Sequence, residues 1–504
     1  MNKEASPVAV WASLYENIEA VWEKNAIAVR TARHFYALSR FQNTYVVEGN
    51  SAKKYYFKQE LDVDYKPYGW YGDEKPTLNG SYYVQVPIGQ GTKDDGFKGA
   101  YNGGGHTIEN VFYTTSSTQE SSYNIHSQSI YIGLFRYVEY IANVHYKAPP
   151  NIMTSPINGV EKPWSESDIE NGIKVGTLIG GCFRASNCTA TLLGDFTVKC
   201  DNGTHIFIGG LAGYSNKMHG CRAVVNGCLK YSGKVLTVYV GGLEGVVYQE
   251  VTNCTSKVKS LVVEGGTTIY AGGLVGGIAY DNPRTTTRVV AGCAAEIEDL
   301  RVNLPNTGTS YAGGLIGRNL AGIIYASYAV GAIGAGDTNP NHHYSGLVGW
   351  NENKVFQGVN YQIKIQNCYS AVGLPANSEN RNYNFCSNNP GTIANCYYLT
   401  GIWKYRVVEY TALKNASNFG TGKTYDELKT ASLPVCEYTY GYDIGTTSKR
   451  TTTWELFEMT AGETGYPFPV HTGMLVEYDE NDKVINTYRG AVPYPGDGWP
   501  KIPT

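Results

Sequence analysis

The chain has 504 residues, of which 17% are charged, with a formal net charge of -3, 59 glycines and 42 tyrosines. This composition is typical of a β-rich protein with many tight turns and excludes a helical bundle, while the scattered basic residues argue against nucleic-acid binding. No apolar run approaches the roughly 20 residues that a membrane-spanning helix needs.

The N-terminal region predicts two helices. Apolar residues from Trp11 to Trp22 recur at helical spacing, which predicts an amphipathic helix over residues 8–24. Thr31 is a suitable N-cap for a second helix that reaches Phe41. The region lacks the basic stretch and apolar run of a secretory signal, yet the composition favours an exported protein.

A turn-rich segment, "DYKPYGWYGDEK" at residues 64–75, follows the predicted helices. It contains four large aromatic residues, Tyr65, Tyr68, Trp70 and Tyr71. Exposed Tyr and Trp rings can stack on sugar rings or anchor a protein partner, so these four are the candidate binding residues. The alternative is that their rings pack the loop onto the N-terminal cap.

A glycine-rich repeat occupies the middle of the chain. Copies such as "YVGGLEG" at 239–245 and "YAGGLVG" at 270–276 align on a central leucine. Seven such leucines are present: Leu134, Leu178, Leu211, Leu243, Leu274, Leu315 and Leu347. Four of the six spacings are 31 to 33 residues, which indicates a solenoid. Glycines are expected beside the leucine because neighbouring coils approach the backbone closely there.

A second landmark of the repeat is a cysteine preceded by Asn or Gly, as in Asn187-Cys188, Gly220-Cys221 and Asn253-Cys254. Both preceding residue types tolerate a left-handed backbone, so this position predicts a corner, with the cysteine pointing into the core. In-register cysteines on parallel strands lie about 4.8 Å apart, which favours a ladder of reduced thiols over disulfides.

The C-terminal region closes the repeat. The segment "MLVEYDENDKVINTYRG" predicts a β-hairpin with its turn at residues 479–482. Because open solenoid ends expose strand edges and core, both ends need caps. We therefore predict a helical cap over 1–45, a β-helix over 46–400, and a C-terminal cap with a hairpin extension over 401–504.

The Y-x-G-G-L-x-G copies resemble GLUG-motif repeats, which occur in bacterial surface proteins and beside IgA-cleaving metallopeptidases. The segments "GFKGAYNGGGHTIENV" at 96–111 and "ANCYYLTG" at 394–401 resemble the segments that flank those repeats. The resemblance implies an all-β, right-handed parallel β-helix, with a short N-terminal helical cap and a C-terminal closing segment, on an exported protein. It implies little about the ligand.

Candidate catalytic groups are sparse. No HExxH, GxSxG or P-loop pattern occurs. Glu244 interrupts the repeat and is predicted to be an isolated surface substitution, while the cluster around Glu296 is predicted to be a solvated corner. His342 and His343 are adjacent on a predicted strand, so they point to opposite faces and are poorly placed to share a metal. We therefore expect no catalytic residues, no metal site and no cofactor.

These observations favour a non-enzymatic bacterial adhesin or binding stalk, extracellular or on the outer cell surface, whose partner is a glycan or an extracellular protein. A polysaccharide lyase or hydrolase with a groove on the helix wall is the main alternative, because parallel β-helices often carry such enzymes. A third possibility is the spike or receptor-binding part of a phage or secretion device.

Overall fold

The computed structural model is built almost entirely of β-strands. It describes residues 26–38, 45–48, 51–54, 56–65, 77–78, 81–82, 87–89, 96–111, 130–149, 152–153, 157–158, 172–278, 288–304, 308–356, 359–361, 363–375, 382–388, 391–405, 408–411, 419–424, 427, 450–453, 474–478 and 484–489. Three long sheets of parallel strands dominate this part of the chain, as a parallel β-helix requires.

Over residues 130–399, the coils of the β-helix contribute strands to the three sheets in turn. Sheet 1 has eight strands: Ile130–Ile132, Ile173–Gly176, His205–Gly209, Thr237–Gly241, Thr268–Gly272, Thr309–Gly313, His342–Ser345 and Asn382–Tyr383. Sheet 2 has fourteen: Ala26–Val29, Tyr56–Gln59, Phe97–Asn102, Phe135–Ala142, Ile179–Ser186, Ala212–His219, Glu244–Thr252, Val275–Ile278, Val289–Ala291, Ile316–Leu320, Ile323–Tyr325, Val348–Glu352, Lys364–Gln366 and Thr392–Ala394. Sheet 3 has fifteen: Val63–Asp64, Thr107–Glu109, His145–Ala148, Ile152–Met153, Ile157–Asn158, Thr189–Leu192, Phe196–Asn202, Arg222–Gly233, Thr255–Glu264, Ala294–Ile297, Leu300–Asn303, Tyr328–Ala332, Tyr369–Gly373, Tyr397–Leu399 and Thr421–Lys423.

The remaining described elements are one helix and several short antiparallel pairs. The helix is Ala32–Leu38. The pairs are Tyr45–Glu48 with Ser51–Lys54, Thr77–Leu78 with Ser81–Tyr82, Lys354–Phe356 with Val359–Tyr361, and Ile402–Tyr405 with Val408–Thr411. A three-stranded sheet of Arg450–Thr453, Met474–Tyr478 and Val484–Arg489 contains the predicted C-terminal hairpin, which is thereby confirmed.

The repeat leucine lies at the corner between sheets 1 and 2 and points into the core. Leu211, Leu243 and Leu274 are fully buried, and each of the three amides donates to the carbonyl of the next repeat leucine at 2.9 Å. The flanking glycines are required by close contact between coils. A Cβ built on Gly242 would lie 2.0 Å from the Gly273 carbonyl oxygen, a distance that no side chain tolerates. The predicted close approach is confirmed.

The corner between sheets 2 and 3 has the predicted left-handed backbone. Asn187 and Asn253 both have a φ of 52°, and Gly220 has a φ of 61°. The cysteines that follow are buried and free, and they bond along the helix axis: the Cys188 amide donates to the Cys221 sulfur at 3.4 Å. The predicted ladder of unpaired thiols is confirmed.

The copy that lacks a cysteine keeps the same backbone. Ala326 adopts the left-handed conformation, with a φ of 42°, and Ser327 stands in the cysteine position. Its hydroxyl accepts the Cys293 amide at 3.1 Å and donates to the Tyr325 carbonyl at 2.7 Å. The ladder therefore depends on a small side chain that can both donate and accept a hydrogen bond.

The predicted second N-terminal helix is present over Ala32–Leu38 and lies inside the coil sequence, while the rest of its predicted span, residues 39–41, lies outside the described residues. The Thr31 hydroxyl accepts the His34 amide at 3.2 Å, so Thr31 is the N-cap, as predicted. Phe35 and Leu38 are buried in the main core. The predicted helix over 8–24 lies outside the described residues. Parallel pairing runs from Ala26 to Lys423, beyond both ends of the predicted 46–400 span.

Candidate functional site

Tyr65, the first of the four candidate binding residues, is buried instead of exposed. Tyr65 is 1% exposed, and its hydroxyl donates to the Ala32 carbonyl at 3.3 Å. The prediction of a ligand-facing Tyr65 is therefore wrong, because the ring packs beneath the N-terminal helix. Tyr68, Trp70 and Tyr71 lie outside the described residues.

A row of large side chains runs along the outer face of sheet 1. Successive coils place them in register along the helix axis: Tyr131, Lys174, Phe207, Tyr239, Tyr270, Tyr311 and His343. We call this row the aromatic ladder. From Phe207 onward the rings are stacked, with centroids 4.9–5.6 Å apart and interplanar angles of 13–24°. Such spacing follows directly from parallel strand pairing.

The residues of sheet 2 that stand three positions after each repeat leucine lie beside the aromatic ladder. Two of these positions are glycines that lie directly under tyrosine rings. A Cβ on Gly181 would lie 2.3 Å from Tyr131 Cε1, and one on Gly277 would lie 2.7 Å from Tyr239 Cδ1. The missing side chains thus let the rings approach the sheet closely.

Burial divides the ladder into two parts. Its N-terminal part is covered: Phe207 is 0% exposed, Tyr239 is 2% exposed, and Lys174 is fully buried with its Nζ 5.2 Å from the Tyr131 ring centroid. The rings of Tyr131, Phe207 and Tyr239 belong to a second hydrophobic cluster outside the main core. The C-terminal end is different, because Tyr311 and His343 are half-buried.

The half-buried end forms a compact platform of three rings. Tyr311 stacks on His343 at 4.9 Å with an interplanar angle of 20°, and it meets Trp350 at 4.7 Å with a tilt of 46°. Trp350, on sheet 2, is also half-buried. We call Tyr311, His343 and Trp350 the ring platform. Strand pairing fixes all three backbones, so the rings are held in place without a ligand.

An arginine beside the ring platform adds a fixed polar group. Arg318 lies over Tyr270, with its guanidinium carbon 5.1 Å from the ring centroid, and donates to the Tyr239 hydroxyl at 3.0 Å. It also donates to Glu352 at 2.8 Å. Burial alone would lower the pKa of Arg318, but the neighbouring tyrosines and Glu352 outweigh burial and raise it. The guanidinium therefore remains charged, and Glu352 is half-buried beside it.

The sequence contained a signal for this site. An aromatic residue or histidine stands four residues before the leucine in five copies, at Phe207, Tyr239, Tyr270, Tyr311 and His343. The predicted strand assignment did not say which face of the sheet this position occupies. Opposite orientations of His342 and His343 were predicted, and the structure agrees: His342 is 3% exposed while His343 stacks on the ladder.

Two carboxylates of the cluster around Glu296 are engaged in local contacts. Glu296 is 4% exposed and lies 3.4 Å from Lys257, so the prediction of a solvated corner is wrong for this residue. Asp299 accepts from Arg301 at 2.9 Å. Across the part of the chain that the structure describes, no group of three or more His, Cys, Asp or Glu could hold a metal ion. No helix among these residues is long and apolar enough to cross a membrane.

No protein-family model matches the chain, and no curated protein matches it. Among solved structures, the chain is similar to one described as "a putative immunoglobulin A1 protease from Bacteroides ovatus". The two share 13% sequence identity with a TM-score of 0.29, over 80% of this chain and 86% of the other.

Proposed function

We propose that the protein is a non-enzymatic binding protein of a bacterial cell surface, and that it recognises carbohydrate through the ring platform. The observation that carries the proposal is the arrangement of Tyr311, His343 and Trp350 as half-buried rings 4.7–4.9 Å apart on a rigid sheet. Aromatic rings with apolar faces and polar edges suit the alternating C–H and hydroxyl surfaces of a sugar. The extracellular location rests on the composition and on the resemblance of the repeat.

The polar groups beside the platform are suited to a sugar as well. Arg318 and Glu352 form an ion pair at its edge, at 2.8 Å, so one group donates and the other accepts hydrogen bonds from a fixed position. A ligand with hydroxyl groups can bond to both without displacing either. The pair is close to neutral overall, which favours a neutral glycan over a highly charged one.

The proposal is tested by glycan-array screening of the intact protein, followed by calorimetry with the best oligosaccharide. Trp350→Ala removes a platform ring and is expected to weaken binding about tenfold or more. Tyr397→Ala is the matched control, because Tyr397 is a half-buried ring on sheet 3, away from the platform. Binding lost equally in both variants, or unchanged in Trp350→Ala, would contradict the proposal.

The same screen separates the alternatives. Release of new reducing ends or unsaturated products from a polysaccharide would identify an enzyme on the helix wall. Binding to extracellular proteins without any glycan would replace the carbohydrate ligand by a protein. A trimer with its symmetry axis along the β-helix, measured by light scattering and electron microscopy, would favour the spike.

A further inference from the structure

Arg318 stands at a position where the two preceding coils have a small or apolar residue. Its register neighbour on sheet 2 is Gly277, and that of Gly277 is Val246. The Arg318 side chain is only 11% exposed, and its Nε is buried with no hydrogen-bond partner among the described residues. Because a buried donor without a partner destabilises a fold, this arginine is less favourable for stability than a glycine or valine would be. Such departures from a regular pattern are expected at functional sites.

The contacts of Arg318 hold the carboxylate of Glu352 in one place. The guanidinium lies over the Tyr270 ring, donates to the Tyr239 hydroxyl at 3.0 Å and donates to Glu352 Oε2 at 2.8 Å. The Glu352 side chain is 36% exposed, so most of the accessible surface of this ion pair belongs to the carboxylate. Among the described residues, Oε1 of Glu352 accepts no hydrogen bond. Glu352 therefore presents a fixed and accessible acceptor.

This acceptor lies beside the ring platform. Trp350 and Glu352 are half-buried on the outer face of the strand Val348–Glu352, whereas Asn351 between them is fully buried. Residues two positions apart on a strand are about 7 Å apart. A pyranose ring with its hydroxyl groups spans a similar distance. A sugar that stacks on the platform at Trp350 consequently brings the hydroxyls at its edge to Glu352.

We propose that Glu352 is the specificity-determining residue of the ring platform and that Arg318 is its positioning residue. The carboxylate of Glu352 accepts hydrogen bonds from free equatorial hydroxyls at the edge of a pyranose ring that stacks on the platform. Arg318 does not need to touch the sugar, because its role is to hold the carboxylate. The inference rests on the proposed function and adds the class of sugar that the platform accepts.

The chemistry of a carboxylate explains this choice of sugar. A sugar ring that lies flat on an aromatic ring turns its axial C–H bonds toward that ring, so its equatorial hydroxyls point outward in the plane of the sugar. A carboxylate can only accept hydrogen bonds, and a bond to a charged acceptor is roughly twice as strong as a neutral one. A sugar whose hydroxyl at this edge is axial, methylated or acetylated loses the bond and leaves the carboxylate oxygen without a partner.

The test uses calorimetry of the full chain with the best-binding oligosaccharide from an array of neutral glycans of glucose, galactose, mannose and xylose. The same oligosaccharide is then measured as a series of monodeoxy derivatives, each of which lacks one hydroxyl. At least one derivative should bind the wild-type protein about tenfold more weakly, or worse, than the parent sugar. Glu352→Ala should weaken binding of the parent sugar by the same factor and should bind that derivative as the wild type does.

Glu264→Ala is the matched control for Glu352→Ala. Glu264 lies on sheet 3, its side chain is 40% exposed, and it pairs with Lys230 of the preceding coil at 2.8 Å. This variant should leave the affinities for the parent sugar and for the derivative unchanged. If Glu352→Ala does not fold, Glu352→Gln is the second variant, since it keeps the size of the side chain and removes the charge. Its discrimination between the two sugars should be severalfold weaker than that of the wild type.

Arg318→Lys tests the positioning role. Lysine keeps the charge but lacks the planar fork that donates to Tyr239 and Glu352 together. The discrimination between the parent sugar and its derivative should therefore fall to about threefold or less. If Arg318 were merely structural, the melting temperature would fall and the discrimination would stay as in the wild type.

The results separate this inference from the proposed function. Equal affinity of the wild type for the parent sugar and all monodeoxy derivatives, or discrimination that persists in Glu352→Ala, would overturn the role of Glu352. Unchanged discrimination in Arg318→Lys would overturn the role of Arg318. If Trp350→Ala abolishes binding in either case, the platform itself still stands. Binding that is unchanged in Trp350→Ala, or no binding by any glycan, would overturn the proposed function and this inference with it.

Discussion

Replacing Glu244 by valine should stabilise the protein at neutral pH. Glu244 is fully buried, and its strand neighbours in register are Ala212 and Val275, which belong to the main core. In the described structure neither carboxyl oxygen has a hydrogen-bond partner within standard geometry. Burial raises the pKa of Glu244 well above its usual value, and the nearby Ser215 hydroxyl offsets this in part. Valine is apolar, like the residues at the neighbouring positions, and it has no charged group to bury.

The size of the effect follows from proton linkage. An unfolded glutamate has a pKa of about 4.3, and each pH unit above this value costs about 1.4 kcal/mol if the buried group must stay protonated. At pH 7 the cost is therefore at most about 3.7 kcal/mol. Because the folded pKa is raised, the wild-type protein loses stability as pH rises from about 4. The advantage of Glu244→Val should grow over the same range and level off above the folded pKa.

Urea denaturation at several pH values between about 4.5 and 7.5 measures this difference. Glu244→Gln is the matched control, because it keeps the size and polarity of the side chain and removes only the titration. The free energy of unfolding of Glu244→Gln should lack the pH dependence of the wild type. This variant should be less stable than Glu244→Val because its side chain is polar. A difference between wild type and Glu244→Val that does not change with pH, or a less stable valine variant at pH 7, would refute the reasoning.

Three further predictions concern the scaffold. Gly242→Ala should cost about 3 kcal/mol or prevent soluble expression, because its Cβ would lie 2.0 Å from the Gly273 carbonyl; a normal melting temperature would contradict this. Asn253→Val should cost about 1–2 kcal/mol in urea denaturation and Asn253→Gly much less, since φ is 52°; equal losses would argue against backbone strain. Burial raises the pKa of Cys188 and Cys254, so their thiols should react with Ellman's reagent only after unfolding; rapid labelling of the native protein would exclude the ladder.

The corners of the coil could be predicted because their chemistry is local. An Asn or Gly before each cysteine already implies a left-handed residue, and Asn187, Gly220 and Asn253 have that backbone. The glycines beside each leucine likewise imply close backbone contact, which Gly242 displays. Both inferences require only the backbone preferences of one or two residues, together with the repeat period.

Glu244 was predicted incorrectly because side-chain alternation is reset at a corner. Within one strand successive residues face opposite sides, so a residue next to a buried leucine is expected outside. At the corner between sheets 1 and 2 the backbone turns, and both Leu243 and the residue after it point inward. Leu211 and Ala212 show the same pattern, since both are fully buried in the main core. The sequence shows the corner but not this change of direction.

The contacts of the aromatic residues could not be predicted from the local sequence, for a different reason. Tyr65 is buried because the helix Ala32–Leu38, about thirty residues earlier, lies against it. Tyr311 and His343 meet because strands 32 residues apart pair in exact register, which aligns their outer faces. Such contacts depend on which coils are neighbours and on which face of the sheet each residue occupies. The repeat period shows which coils are neighbours, but it does not show which face of the sheet a residue occupies.

Departures from the repeat concentrate in residues 309–352, which span one coil and the start of the next, and this concentration supports placing function there. In that coil Ser327 replaces the ladder cysteine, and a loop replaces the strand that would pair with Leu300–Asn303. It also carries Arg318, which replaces a glycine or valine of the preceding coils, while the next sheet-2 strand brings Trp350 to the same row. A solenoid is stable when each coil matches its neighbours, so a coil that breaks the pattern at several positions gives up regular pairing. The ring platform lies where that regularity is lost.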